Sequence, residues 1–450
     1  MHSGVKFILD PFETKANNWR LLEHIQFFSR EDIAHRCLFV KDLCPLAGKR
    51  VILVNVAGLL NSTSSASAMA MKISIVGGGR WARTIAAVLG TMAGRSDSII
   101  VHSPRNFEGI EAWIGERRLG DRIRAARAWP SFGAGRDRPD AVVIANRAED
   151  HFAAAAAALR AGIPVLVEKP VCLLRSRIED LCKIADASGT VFGASHVFLF
   201  ARYFQSYAGS VASLGQLDSL RLIWTDGVSD VRHGEAKSYD PAVTIFDDVL
   251  PHIVPIIGQL TFRDLSLVSL DVQRGGATLV VEARSEGRPV SLTLARNDNG
   301  RRRQIEIVTE AGPAALDFTT EPGFIDTPQT RENGDPLWDS APRPLATMLS
   351  AFTAAANGAA LDPRLSPRGA IAAAGFAGVI RGRYFAHQAE WLEKRLGAAL
   401  DPSLHYAVTE LSRDTDGDAV TAAWATMDSG ARLKAFLAQS PLRSYAGYDQ

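Results

Sequence analysis

The chain has 450 residues, enough for two or three domains with substantial cores. It carries 50 basic and 49 acidic residues, a formal charge of +1, so its bulk electrostatics exclude nucleic acid or an anionic membrane as the defining partner. Cys37, Cys44, Cys172 and Cys182 form neither a CxxC pair nor a His/Cys cluster with zinc spacing, which leaves no metal site and predicts reduced thiols in a cytoplasmic protein.

No run approaches the roughly 18 apolar residues needed to cross a bilayer. Residues 1–70 read as an extension without an assigned role. They hold an amphipathic stretch, Trp19 to Phe28, a strand-like run, Val51 to Val56, and a flexible linker, Asn61 to Ala68. Lys49-Arg50 followed by the apolar run Val51 to Leu60 imitates a secretory signal but lies about fifty residues too far along the chain.

From Met71 the pattern sharpens. Lys72 to Val76 is a short apolar strand, Gly77 to Ala82 a turn, and Arg83 to Ala93 has helical spacing. This fits G-x-G-x-x-G/A between strand and helix, with Gly77 for the tight turn, Gly79 for close approach of the backbone to a pyrophosphate and Ala82 for helix packing. Arg80 and Trp81 lie in the same cradle. The next strand, Ser98 to His102, ends without the acidic residue that would bind a ribose 2′-hydroxyl. It offers Ser103, Arg105 and Asn106 instead, groups suited to a 2′-phosphate, so NADP(H) is favoured, with NAD(H) possible.

Asp140 to Ala145 is a buried strand, followed by Asn146-Arg147 and an alanine-rich helix from Phe152 to Ala161. Pro164 to Val167 then delivers Glu168-Lys169-Pro170, a lysine at the carboxyl end of a parallel strand, where open α/β sheets bind ligands. A helix over Arg177 to Ala187 and a strand over Thr190 to Ala194 complete the alternation of a doubly wound sheet. Texture then changes. Leu220 to Thr225, Leu265 to Gln273, Ala277 to Arg284, Val290 to Arg296 and Gln304 to Thr309 read as strands, the later ones separated by tight turns, which predicts a largely antiparallel sheet. A helix over Thr244 to Gln259 carries Asp248 and His252 on one face. The fold class is therefore α/β: a Rossmann domain (71–195) followed by an α+β domain with a largely antiparallel open sheet (196–384). Pro344 to Ala356 and a region from Arg368 to Leu437 read as helical, with 385–450 as a tail.

Gly77-x-Gly79-x-Trp81-Ala82, His151 after the Asp140 strand, Glu168-Lys169-Pro170 and Asp248-x-x-x-His252 together resemble the Gfo/Idh/MocA oxidoreductase family over about residues 71 to 380. The resemblance implies hydride transfer between a nicotinamide and a hydroxyl or keto carbon of a sugar, nucleotide sugar or cyclitol. It makes His252 the acid/base, Lys169 the donor to the reacting oxygen and Asp248 the residue holding their geometry. It adds Asn146, Arg147, His151 and Glu168 to the cofactor set and His196 and Arg202 to the substrate contacts. It also implies a cis Lys169-Pro170 peptide and a homo-oligomer paired through the second sheet. Leu250 and Pro255 depart from the family's usual glycine and acid around the histidine, and Asn146-Arg147 replaces its Thr-Pro. Two rivals stay open: reduction of a C=N bond, and a non-catalytic NADP-binding regulator. Retention of Lys169 with His252 favours the carbonyl reading.

Overall fold

The computed structural model describes residues 71–92, 97–227, 231–232, 235–236 and 243–396. The expectations placed on residues 1–70, on Cys37 and Cys44 and on the helical region beyond Leu396 lie outside them.

Six parallel strands form the first sheet: β1 (Lys72–Val76), β2 (Ser98–His102), β3 (Ile123–Ala126), β4 (Ala141–Ile144), β5 (Val165–Val167) and β6 (Phe192–Ala194), in the order β3-β2-β1-β4-β5-β6. Every residue of β4, β5 and β6 is buried. This is the composition that a sheet covered on both faces requires, because each strand must be apolar on both of its sides. Helices α1 (Arg80–Met92), α2 (Phe107–Glu116), α3 (His151–Arg160) and α4 (Arg175–Ser188) supply the crossovers. The chain builds outward from β1 through β2 and β3 and then returns to place β4 on β1's other side. A crevice therefore opens at the carboxyl ends of β1 and β4. Helix α1 starts at Arg80, so Arg80 and Trp81 belong to its first turn rather than to the preceding loop.

After α5 (Arg202–Ala212) comes a sheet of eight strands: β7 (Leu217–Gly227), β10 (Ser266–Gln273), β11 (Thr278–Ser285), β12 (Arg288–Asp298), β13 (Arg302–Thr309), β14 (Gly312–Asp317), β15 (Phe324–Asp326) and β16 (Arg331–Asn333). The order is β10-β11-β12-β7-β13-β14-β15-β16. All neighbours pair antiparallel except β12 with β7, which run parallel. A parallel pair needs a crossover, and the segment between β7 and β10, which includes α6 (Ile245–Gln259), provides it. The small hairpin β8 (Val231–Arg232) and β9 (Glu235–Ala236) lies in the same connection.

Helix α6 lies between the Rossmann half and the second sheet, and eleven of its fifteen residues are buried. Pro251 and Pro255 each remove an intrahelical hydrogen bond, a cost of roughly 3 kcal/mol in an isolated helix. Burial of Ile253, Ile256 and Ile257 on the surrounding core offsets this. Thr244 caps the helix, its Oγ1 accepting from Asp247 N at 3.1 Å, and Asp247 and Asp248 fill the first turn, where the helix dipole favours negative charge. Helices α7 (Pro344–Ala356) and α8 (Arg368–Leu396) complete the described chain. Helix α8 runs without a break across residue 385, where the tail was expected to begin. It is tied to α6 by Arg381, whose guanidinium meets Asp247 at 2.9 Å and Leu173 O at 3.1 Å.

Candidate active site

A cleft of about 380 Å³ opens where the carboxyl ends of the Rossmann strands face the amino end of α6 and the inner face of the second sheet. Its cofactor side starts at Gly77, whose φ of +140° is open to glycine; a Cβ there would lie 2.4 Å from Ala145 O. This lets β1 turn tightly against β4. Gly79 has open space where a side chain would stand, so the backbone at the start of α1 is accessible to a phosphate, and the helix N-terminus attracts its charge. Asn146 Oδ1 lines the cleft, shielded from solvent and without a hydrogen-bond partner among the described residues. Open backbone at Gly79 and an orphaned acceptor at Asn146 fit a dinucleotide with a ribose or carboxamide hydrogen to donate.

Around the adenosine end of that cradle, Ser103 is buried and its Oγ accepts from Asn106 N at 3.2 Å, while Asn106 Nδ2 donates to Gly78 O at 2.7 Å. These two side chains brace the glycine turn from below. Arg105 is exposed at the same loop. His102 is buried and satisfied, with Nδ1 at 2.7 Å from Ala128 O and Nε2 at 3.0 Å from Ser74 Oγ; burial depresses its pKa. Arg147, expected among the cofactor contacts, turns instead to Glu149 at 2.8 Å and does not line the cleft.

Strand β5 delivers Glu168, Lys169 and Pro170, and the Lys169–Pro170 peptide is cis. Glu168 is buried, which pushes its carboxyl pKa upward; a hydrogen bond from Ser195 Oγ at 2.6 Å and the indole of Trp81 work in the opposite direction. His151 sits beneath the turn. Its Nδ1 lies 2.8 Å from Pro170 O and its Nε2 3.2 Å from Asn146 O. Burial lowers its pKa, so the neutral ring donates to one of these two carbonyls and braces the turn.

The other wall belongs to α6 and the sheet. Lys169 Nζ donates to Asp248 Oδ1 at 2.5 Å, and Arg296 Nη2 donates to Asp248 Oδ2 at 3.2 Å, so one carboxylate is shared between a lysine from the first half and an arginine from the second. His252, one helical turn beyond Asp248, stacks on Trp224 with ring centroids 5.3 Å apart and meets Phe198 edge-on at 5.1 Å. Asp248, expected to hold the geometry of Lys169 and His252, has one oxygen on the Lys169 ammonium and the other on the Arg296 guanidinium, and aromatic rings flank the imidazole. Leu250 and Pro255, the family departures on this helix, are both buried.

Several residues of this wall were not anticipated. Along β7 the inward positions are Leu220, Leu222, Trp224 and Asp226; along β12 they are Val290, Leu292, Leu294 and Arg296; along β13 they are Arg303, Ile305 and Ile307. Strand alternation places the last polar member of each series at the same end of the sheet, since Trp224 pairs with Leu294 on one side and Arg303 on the other. A charged residue continuing an apolar series with period two was the available signal. Burying a guanidinium is costly unless it is paired and hydrogen-bonded. Arg303 meets Asp226 and Thr225 O, and lies 4.0 Å over the Trp224 ring; Arg296 adds Val243 O at 3.0 Å and Thr244 O at 3.1 Å.

The two expected substrate contacts lie elsewhere. Arg202 forms a two-pronged pair with Asp335, Nε to Oδ1 at 3.1 Å and Nη2 to Oδ2 at 2.9 Å, and also donates to Pro342 O; it anchors the segment before α7. His196 is buried under Gly369 and borders a separate groove on another side of α6, facing the carbonyls of Ser366 and Pro251. Burial pushes its pKa down to about 4. The family resemblance suggested both as substrate contacts, but neither lines the cleft. Among the described residues no group of three or more His, Cys, Asp or Glu side chains could hold a metal ion, and no helix is long and apolar enough to cross a membrane.

Residues 71–196 match the Gfo/Idh/MocA model of the oxidoreductase family, NAD-binding Rossmann fold. No curated protein sequence matches the chain. Among solved structures, UDP-N-acetylglucosamine 3-dehydrogenase GnnA from Acidithiobacillus ferrooxidans superposes with a TM-score of 0.57 at 20% identity, covering 71% of this chain and 99% of its own. The 3-ketoreductase KijD10 from Actinomadura kijaniata, in complex with TDP-benzene and NADP, gives 0.56 at 18% identity, covering 69% of this chain and 97% of its own. At these identities the two structures establish a shared fold. The match assigns residues 71–196 to the NAD-binding Rossmann domain of the Gfo/Idh/MocA oxidoreductases, and the solved structures extend the shared fold beyond that segment.

Proposed function

We propose that the protein transfers hydride between a nicotinamide cofactor and the hydroxyl or keto carbon of a sugar, nucleotide sugar or cyclitol, with NADP(H) the favoured cofactor. The observation carrying this reading is that Lys169, from the carboxyl end of β5, and His252, from α6, line one cleft together with Arg80 and Trp81 of the α1 turn that follows the glycines. When bound, the nicotinamide supplies or accepts the hydride. Gly77, Gly79, Arg80 and Trp81 would hold the diphosphate region, Asn146 the ribose or carboxamide, and Glu168 the base of the nicotinamide pocket. His252 moves the proton of the reacting hydroxyl at its imidazole. Lys169 donates to the reacting oxygen and stabilises negative charge developing there, while Asp248, itself held by Arg296, fixes the ammonium in place.

The NADP(H) preference rests on Arg105, exposed beside the loop after β2, and on the lack of a carboxylate at that strand end. The relatives named above act on nucleotide sugars or bind NADP, which supports the same substrate class and cofactor. We further place the enzyme in the cytoplasm, with the described Cys172 and Cys182 as free thiols, and as a homo-oligomer paired through the outer face of the second sheet, where Phe324 and Val308 are exposed.

The test is spectrophotometric. Purified protein is mixed with NADPH or NADH and a panel of keto-sugars, keto nucleotide sugars and keto-cyclitols. The reading predicts oxidation of NADPH by at least one class, faster than of NADH. Turnover confined to cyclic imines would replace it.

A further inference from the structure

Among the described residues, the substrate side of the cleft is lined by four cations, Lys169, Arg296, Arg301 and Arg303, against two carboxylates, Asp226 and Asp248. The carboxylates are committed locally: Asp248 faces Lys169 and Arg296, and Asp226 faces Arg303. Arg301 stands outside both groupings. Its Nε donates to Thr319 O at 3.1 Å, which fixes the guanidinium at the cleft wall, and its two terminal nitrogens have no acceptor among the described residues. A guanidinium held by one edge presents its other N–H groups as a planar fork, the shape that matches the paired oxygens of a carboxylate or phosphate. Among the described residues no carboxylate faces the Arg301 guanidinium, so a neutral substrate would cover its charge without supplying one of opposite sign.

We infer that Arg301 recognises an anionic substituent of the substrate, a carboxylate or a phosphate, and so restricts the enzyme to negatively charged sugars or cyclitols. This deepens the hydride-transfer reading and rests on it for the location of the substrate. Arg301 comes from the turn between β12 and β13, whereas Lys169 and His252 come from β5 and α6. The charged substituent and the reacting carbon are therefore gripped by different parts of the wall.

The experiment uses the full chain saturated with NADP, so that phosphate probes do not occupy the cofactor site. Calorimetric titrations compare D-glucuronate, glucose 1-phosphate and UDP with neutral D-glucose, for the wild type, Arg301→Gln and Arg301→Lys. The three charged probes separate a carboxylate, a monophosphate and a nucleotide diphosphate as the source of the oxygens. At least one should bind more tightly than glucose. Arg301→Gln should weaken that probe on the order of ten- to hundredfold, Arg301→Lys should recover part of the loss, and glucose should be unaffected. Unchanged thermal melting would show that the variants fold.

Equal binding of glucose and every charged probe, failure of all charged probes to bind the wild type, or undiminished binding to Arg301→Gln would each overturn the inference. The outcome is separable from the function itself. Turnover of neutral keto-sugars with KM unchanged in Arg301→Gln would remove the inference and leave the function. Charge-selective binding lost in Arg301→Gln, without turnover of any carbonyl, would do the reverse.

Discussion

Asp248→Asn removes one charge from a place where three meet. Lys169 Nζ lies 2.5 Å from one carboxylate oxygen and Arg296 Nη2 lies 3.2 Å from the other. At an effective dielectric constant of about 20, two unit charges roughly 3 Å apart attract by about 5 kcal/mol. Desolvation offsets much of that, and the Lys169 and Asp248 side chains retain 24% and 21% of their exposure, which lets water screen the pair. Arg296 is almost fully enclosed, so its share is screened less. The amide keeps the shape of the carboxylate but leaves two cations facing each other, and we expect a net loss of about 2–3 kcal/mol in stability. Urea denaturation of the wild type, Asp248→Asn, Lys169→Met and the double variant measures this directly. Lys169→Met removes one of the opposed cations, so the double variant should lose less than the sum of the singles, with a coupling of about 1–2 kcal/mol. A coupling below about 0.3 kcal/mol would show that the ammonium and the carboxylate do not depend on one another, and would refute the argument that Asp248 fixes Lys169.

His252→Asn should lower kcat/KM on the order of a hundred- to ten-thousandfold while NADPH binding, followed by fluorescence, stays unchanged, because the imidazole moves a proton and is not needed to hold the cofactor. Arg105→Ala should weaken NADPH on the order of tenfold and NADH by less than twofold; equal weakening would remove Arg105 from 2′-phosphate recognition. Buried His196, with its pKa lowered to about 4, sets an acid limb: the folded state resists protonation, so its contribution is intact above pH 6.5 and is lost as pH falls from there towards 4. The span corresponds to a loss on the order of 3 kcal/mol. His196→Leu should make the acid limb shallower in denaturant titrations, the buried His102 and His151 supplying the slope that remains, and an unaltered acid limb would contradict the assignment.

The Rossmann half was largely legible because parallel strands buried on both faces are continuous apolar runs, and the glycines at 77 and 79 fall at the one strand end where backbone must turn and approach a phosphate. Lys169, Asp248 and His252 were legible as a spacing, and the structure brings all three to one cleft. What the spacing could not contain was the partner of Asp248. Arg296 lies 48 residues further along the chain, and only the parallel pairing of β12 with β7 carries it to α6. The same holds for Arg303 and Asp226, separated by 77 residues. The signal was present but faint: both arginines sit at positions that strand alternation reserves for the core. Arg202 and His196 misled for a different reason. Their chain positions are close to the crevice, yet the orientation of a side chain at the start of a helix is decided by tertiary acceptors, here Asp335 for Arg202 and the packing under Gly369 for His196.

The account depends most on hydride chemistry taking place between the ammonium of one half and the imidazole of the other. The most direct measurement is isotope transfer: NADPH carrying deuterium at the transferable position of C4 is incubated with the responsive carbonyl substrate, and the product is analysed by mass spectrometry and NMR. The account predicts one deuterium on the carbon that becomes the carbinol in the wild type, and its loss in Lys169→Met and His252→Asn variants that still bind NADPH. Bound NADPH that delivers no deuterium to any carbonyl of the panel, or delivery undiminished when both side chains are replaced, would contradict it.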